Sequence, residues 1–202
     1  LLGYVPTSNW SKYDALALRQ WFSEYLKWMN TSSLAHGEWV ETNNHGLWFD
    51  VQMLAVATHL GWGDFGSPLL EREDAKFEWA RQFAVSVAST FGTRRINVQI
   101  RPNGSLPAEQ ARTKAFSYCE FATDALFHAG ALVDTLHTLT QDEEGNSEVE
   151  PLWSFNDSAI QRALSWQLPY VVRNETWPFE QMVPFFPPNC SENMVDQCAS
   201  TY

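Results

Sequence analysis

Cysteine is scarce in this chain, with three in 202 residues, and no Cys/His cluster has the spacing of a metal site. No metal and no cofactor are therefore expected. Basic residues are also few. Thirteen Lys and Arg stand against 24 Asp and Glu, and the net charge of −11 disfavours nucleic acid as a partner. No apolar run approaches the ~18 residues that cross a bilayer, so no membrane segment is expected. The opening Leu1-Leu2-Gly3 has neither an initiator Met nor a basic-then-apolar signal, and reads as the start of a processed product. What is left is the length of one globular domain, taken as residues 1–202, with 45% hydrophobic residues.

Glycosylation sequons, by contrast, are dense. They fall at Asn9, Asn30, Asn103, Asn156, Asn174 and Asn189. With 11 Asn and 29 Ser plus Thr, chance gives roughly one or two. The excess implies a secreted, extracellular eukaryotic protein. In that oxidising setting Cys190 and Cys198, which close a short loop, are expected to pair. Cys119 is left over, either as a buried thiol or as the partner of a chain segment not present here.

The charge is uneven. Arg94, Arg95, Arg101, Arg112 and Lys114 fall in one stretch with Glu109 as its one acid, while acids gather at Asp142, Glu143, Glu144, Glu148 and Glu150. That pattern suits either a basic cleft or a solvated basic face.

Hydrophobic spacing makes the chain all-α. Leu16, Leu18, Trp21, Phe22, Tyr25, Leu26 and Met29 follow a helical period over 12–29. Residues 31–37 read as a loop, 47–60 as a helix ending at Gly61, and 71–89 as a third helix. The β-branched run Ile96, Val98, Ile100 reads as a short extended piece, and Pro102-Asn103-Gly104 as a turn. A long helix is predicted over 108–139 with a break near Gly130, then an acidic loop over 141–151, and one more helix over 158–167. Five of the ten prolines lie at or after Pro169, which makes an irregular tail from about 168.

The chemical interest lies in Asn43-Asn44-His45, which opens a helix, and in Arg112 and Tyr118 downstream. An amide, an imidazole, a guanidinium and a phenol are what is needed to take a proton from the carbon beside a carboxylate. Hydrogen-bond donors and a guanidinium stabilise the developing enediolate, a term worth several kcal/mol. A base removes the proton and an acid protonates the departing oxygen. Spacing alone does not bring Arg112 and Tyr118 together, because six residues of continuous helix turn through about 600°. Taken singly, Asn43 and Asn44 suit a turn and helix N-cap, His45 a structural histidine, and Tyr118 a core residue.

The run Asn43-Asn44-His45-Gly46-Leu47-Trp48-Phe49-Asp50-Val51-Gln52, with Pro102 to Glu109 leading to Arg112 and on to Tyr118, resembles alginate-lyase-type polysaccharide lyases. A secreted eukaryotic, fungal member is expected. The resemblance implies an α/α toroid of antiparallel helix pairs, of which this chain supplies the C-terminal part. It also implies β-elimination on an acidic polysaccharide, either alginate or a glucuronan-like polymer. Asn44 and Arg112 would neutralise the substrate carboxylate and Tyr118 would serve as acid and base. His45 would assist or act as base on the epimeric uronate, and Trp48, Gln52 and Asn43 would bind sugar. The family's longer N-terminal portion implies a partner here, either an N-terminal fragment of the same precursor, joined through Cys119, or a second subunit. Two rivals stand beside this reading: a glycoside hydrolase using two carboxylates from Asp50, Glu109 and Glu120, and a catalytically inactive carbohydrate-binding protein.

Overall fold

The structure is a computed structural model that describes residues 11–62, 77–173 and 175–182. Helix α1 spans Lys12–Thr31 and α2 spans Ser33–Trp39; α3 is Asn44–Trp62 and α4 is Glu78–Phe91. A π-helical turn, Gly92–Ile96, leads into the short α5, Asn97–Gln99. Then follow α6, Pro107–Gln110, the long α7, Ala115–Leu139, and α8, Phe155–Val172. Among the described residues there is no β-strand, so the all-α expectation holds. None of these helices is long and apolar enough to cross a membrane.

The core is organised around α3, which packs against α4 on one side and α7 on another, with α1 and α2 at its flank. Leu47, Leu54, Ala57 and Leu60 are fully buried along it, and Phe49, Val51 and Met53 nearly so. Burial around most of its circumference fits a helix with little amphipathic character. Helix α1 starts at a capping box in which the Ser11 hydroxyl accepts from the Asp14 N–H and the Asp14 carboxylate accepts from the Ser11 N–H. The Ser11 hydroxyl, which also donates to the Asp14 carboxylate at 2.7 Å, and after it the Ser11 N–H hold the Asp14 carboxyl below its usual range.

Four expectations are corrected. Residues 31–37 are not a loop, because Ser32 ends α1 and starts α2 at once. Its N–H bonds the Trp28 carbonyl, and its hydroxyl accepts from the Leu34 N–H. Ser32, which looks like a breaker in sequence, acts as a cap. The segment 95–99 is helical and Ile100 is its extended C-cap. Ile96 and Ile100 are buried four residues apart while Val98 is exposed, and over five residues a period of two cannot be told from one helical turn. The break in the long helix falls at 111–114 and not at Gly130. Gly130 is there because the Trp153 ring lies against it, 2.6 Å from where a Cβ would stand. Finally, α8 continues through Pro169 to Val172, so the irregular tail begins later than 168. The predicted turn at 102–104 is present, with Gly104 at φ +89° and its N–H on the Arg101 carbonyl.

Candidate active site

The first turn of α3 carries the motif. Asn43 caps it: its side-chain oxygen accepts from the His45 N–H at 2.9 Å, and its amide nitrogen donates to Glu41. Asn44, 3% exposed, gives both its backbone N–H and its side-chain Nδ2, the latter at 2.7 Å, to the carboxylate of Glu109. His45 is turned outward, with Nδ1 2.8 Å from Oε2 of Glu38 on α2. That contact is met by an Nδ1–H donor, which leaves Nε2 free of a proton in the neutral ring.

Beneath this turn lies a buried charge cluster. Asp50 is fully buried and its Oδ2 accepts from Arg95 Nε at 2.7 Å and from Arg94 Nη2 at 2.6 Å. The same Arg95 reaches the carbonyls of Glu41 and Trp39 at 2.7 and 2.8 Å. It therefore pegs the chain between α2 and α3 onto α3 itself. Gly46 leaves room for that peg, since a Cβ there would run into the Glu41 carbonyl and the Arg95 guanidinium. Burial pulls the Arg94 guanidinium below its usual range, against the opposing pull of Asp50.

Arg112 and Tyr118 meet because the helix between them is interrupted. Arg112 sits in the non-helical turn after α6, and its Cζ lies 3.5 Å from the centre of the Tyr118 ring, on the first turn of α7. Arg112 Nη1 also donates to Glu109 Oε2 at 3.2 Å. The turn is strapped from the far end of the chain. The N–H groups of Ala115 and Phe116 donate to the Glu180 carbonyl and the Gln181 side chain, and the Met182 N–H donates to the Thr113 carbonyl. Gln181 Nε2 donates to the Ser117 hydroxyl at 3.1 Å. The strap satisfies donors that a helix start leaves open.

These elements enclose a cleft of about 700 Å3 lined by Glu38, Asn44, His45, Trp48, Phe49, Val51, Gln52, Ala55, Arg112, Tyr118 and Phe121. All four residues expected to do chemistry line it, as do Trp48 and Gln52; Asn43 supports its rim from the cap position. The Trp48 ring is fixed by its Nε1–H on the Phe121 carbonyl at 3.1 Å, and Gln52 accepts from the Tyr25 hydroxyl at 2.9 Å. Of the two readings of the basic stretch, the basic cleft is not what the described residues form. Of the basic stretch only Arg112 lines the cleft, since Arg94 and Arg95 are bound to Asp50.

The family model described as alginate lyase matches residues 2–177, which is most of the chain. The chain belongs to the alginate lyase family. A search of the curated proteins finds no match. Among solved structures, the crystal structure of an alginate lyase from Bacteroides ovatus superposes with a TM-score of 0.64 at 24% sequence identity. The likeness covers 88% of this chain and 40% of that one, so the chain spans less than half the length of that neighbour. Shared helical architecture is what the likeness shows, and it gives the chain the α/α toroid class.

Sequence reasoning missed Glu38 as a cleft residue, Glu109 as the group that joins Asn44 to Arg112, and the strap at 180–182. Glu109 had a visible signal, a carboxyl three residues before Arg112; Gln181 had none. Cys119 is a free, fully buried thiol, and burial pushes it up to about 12. Of the two readings of Cys119, the buried thiol is the one that its place inside α7's packed face fits. Asn30, Asn103 and Asn156 are exposed, whereas Asn9, Asn174, Asn189, Cys190 and Cys198 lie outside the described residues. No group of His, Cys, Asp and Glu among the described residues is arranged to hold a metal ion.

Proposed function

We propose that this cleft cleaves a polyuronate, alginate or a glucuronan-like polymer, by β-elimination. The observation that carries the reading is the meeting of Asn44, His45, Arg112 and Tyr118 in one cleft of an alginate lyase family fold. The reaction breaks the C5–H bond and the C4–O bond and forms a C4=C5 double bond. Arg112 and the amide of Asn44 stabilise the negative charge that gathers on the uronate carboxyl group as the proton leaves. In one stereochemical course the Tyr118 phenolate takes the C5 proton and returns it to the departing oxygen. For the epimeric uronate, His45 Nε2 takes the proton and the Tyr118 hydroxyl supplies the leaving group's proton. Trp48 and Gln52 fit roles as stacking surface and hydroxyl partner.

The hydrolase alternative is weakened by where the carboxylates sit. Asp50 and Glu109 are 0% and 1% exposed and held by two or more donors each, and Glu120 does not line the cleft. One carboxylate, Glu38, faces it, and hydrolysis needs two. Incubation with polyuronates in chelator tests the reading. An unsaturated uronate absorbing in the ultraviolet is expected, and reducing sugar without that chromophore would indicate hydrolysis.

Secretion is part of the proposal, on the strength of the sequons. So is a helical partner, from the same precursor or a second subunit. Exposed Tyr13, Trp21, Trp28, Leu34 and Val40 on α1, α2 and the turn after them give such a partner apolar surface to cover.

A further inference from the structure

Glu109 is the hub of the site and no part of the chemistry above uses it. It stands on α6, 1% exposed, with three donors on one carboxylate: the Asn44 backbone N–H, Asn44 Nδ2 and Arg112 Nη1. Asn44 lies 65 positions upstream, on a different helix. Nothing else among the described residues bonds the Asn44 side chain. Buried and off the cleft wall, Glu109 cannot reach a sugar. It can decide where the two groups that can.

Two consequences follow from the geometry. An amide bound through Nδ2 to a carboxylate cannot flip, so one orientation of the Asn44 side chain is fixed and its second N–H direction with it. A guanidinium bound through Nη1 is likewise limited to a few orientations, with its plane held over the Tyr118 ring. We infer that Glu109 is a positioning residue that sets Asn44 and Arg112 at the separation the developing enediolate requires. The inference rests on the lyase reading of the cleft. It implies that Glu109 acts on the transition state through two other residues, without touching substrate.

Three measurements on the intact chain test it. Glu109→Gln keeps the shape but turns one acceptor into a donor facing donors. It should lower kcat by about 10- to 100-fold, less than losing a stabilising donor outright, with KM changed little. In an Arg112→Ala background the same substitution should cost clearly less than in the wild type, because only its effect through Asn44 remains. The Asn44 backbone amide, followed by NMR without substrate, should move upfield as its acceptor is weakened. Should Glu109→Gln fail to fold, Glu109→Asp keeps the charge but retracts it by one methylene, and the same three results are expected. Equal losses in wild-type and Arg112→Ala backgrounds, a loss confined to KM, or an unmoved Asn44 resonance would each overturn the inference. A wild-type protein that forms no unsaturated uronate overturns the lyase reading instead. The amide resonance then decides by itself whether Glu109 holds Asn44.

Discussion

Gly46→Ala puts the architecture under the site to a quantitative test. In an ordinary helix interior this change stabilises by about 1 kcal/mol, since Ala is the better helix former. Here the new methyl would collide with the Glu41 carbonyl oxygen and with Arg95, whose Cζ would lie only 2.9 Å away. Neither neighbour can step aside cheaply. The carbonyl belongs to the backbone, and the Arg95 side chain is 3% exposed and bound to Asp50, Glu41 and Trp39. Losing the Arg95–Glu41 hydrogen bond costs about 1.5–3 kcal/mol, and overpacking costs about 1–3 kcal/mol more. After the helix gain, a net loss of about 1.5–5 kcal/mol remains. For a chain of this size that is roughly 3–20 °C in Tm. Activity should fall further than stability, because the displaced turn carries Asn44 and His45, and an error near 1 Å at such groups costs about 100-fold. Thermal melting followed by circular dichroism, with ultraviolet assay of the folded fraction at low temperature, measures both. A Gly46→Ala protein as stable as the parent would refute the peg.

Tyr118→Phe removes the transferable proton and leaves the ring under Arg112, so turnover should drop by about 100- to 10,000-fold while oligouronate binding persists in calorimetry. Near-normal turnover would move the acid/base role elsewhere. Asp50→Ala strands two guanidinium groups, one of them 3% exposed, and should destabilise by about 3–5 kcal/mol in denaturant titration; a loss below about 1 kcal/mol would contradict the cluster's role. Cys119, raised to about 12 by burial, should resist alkylation at pH 8 in the native protein and react promptly once unfolded. Its sign is set by the raised value: stability is unaffected below the ordinary thiol range and falls as pH rises from there toward about 12. Glycan-removing enzyme should reduce the mass of protein from a eukaryotic secretory host, with Asn30, Asn103 and Asn156 among the occupied sites; an unchanged mass would defeat the secretory assignment.

The helical class and the four polar groups that line the cleft can be read from the order of amino acids. Periodic apolar positions identify α1, because a helix that buries one face must repeat near 3.6 residues, whereas α3, buried around most of its circumference, is read from its length and apolar content. The Asn-Asn-His run and the Arg–Tyr pair are legible through their resemblance to alginate-lyase-type polysaccharide lyases, since their residue types alone suit caps and core positions as well. Tertiary structure alone decided how they meet. Six residues of helix would have pointed Arg112 away from Tyr118, and an interruption at 111–114 brings them together. That interruption is held by Gln181, whose contact with Ser117 spans 64 positions and leaves no trace in local pattern. Ser32, which signals a break, became the cap between α1 and α2, and isoleucines that suggested a strand marked one helical turn. The bond that decides the Arg112–Tyr118 turn, by contrast, joins residues far apart along the chain. Local propensity carries no information about which distant donor or acceptor a given backbone group will find.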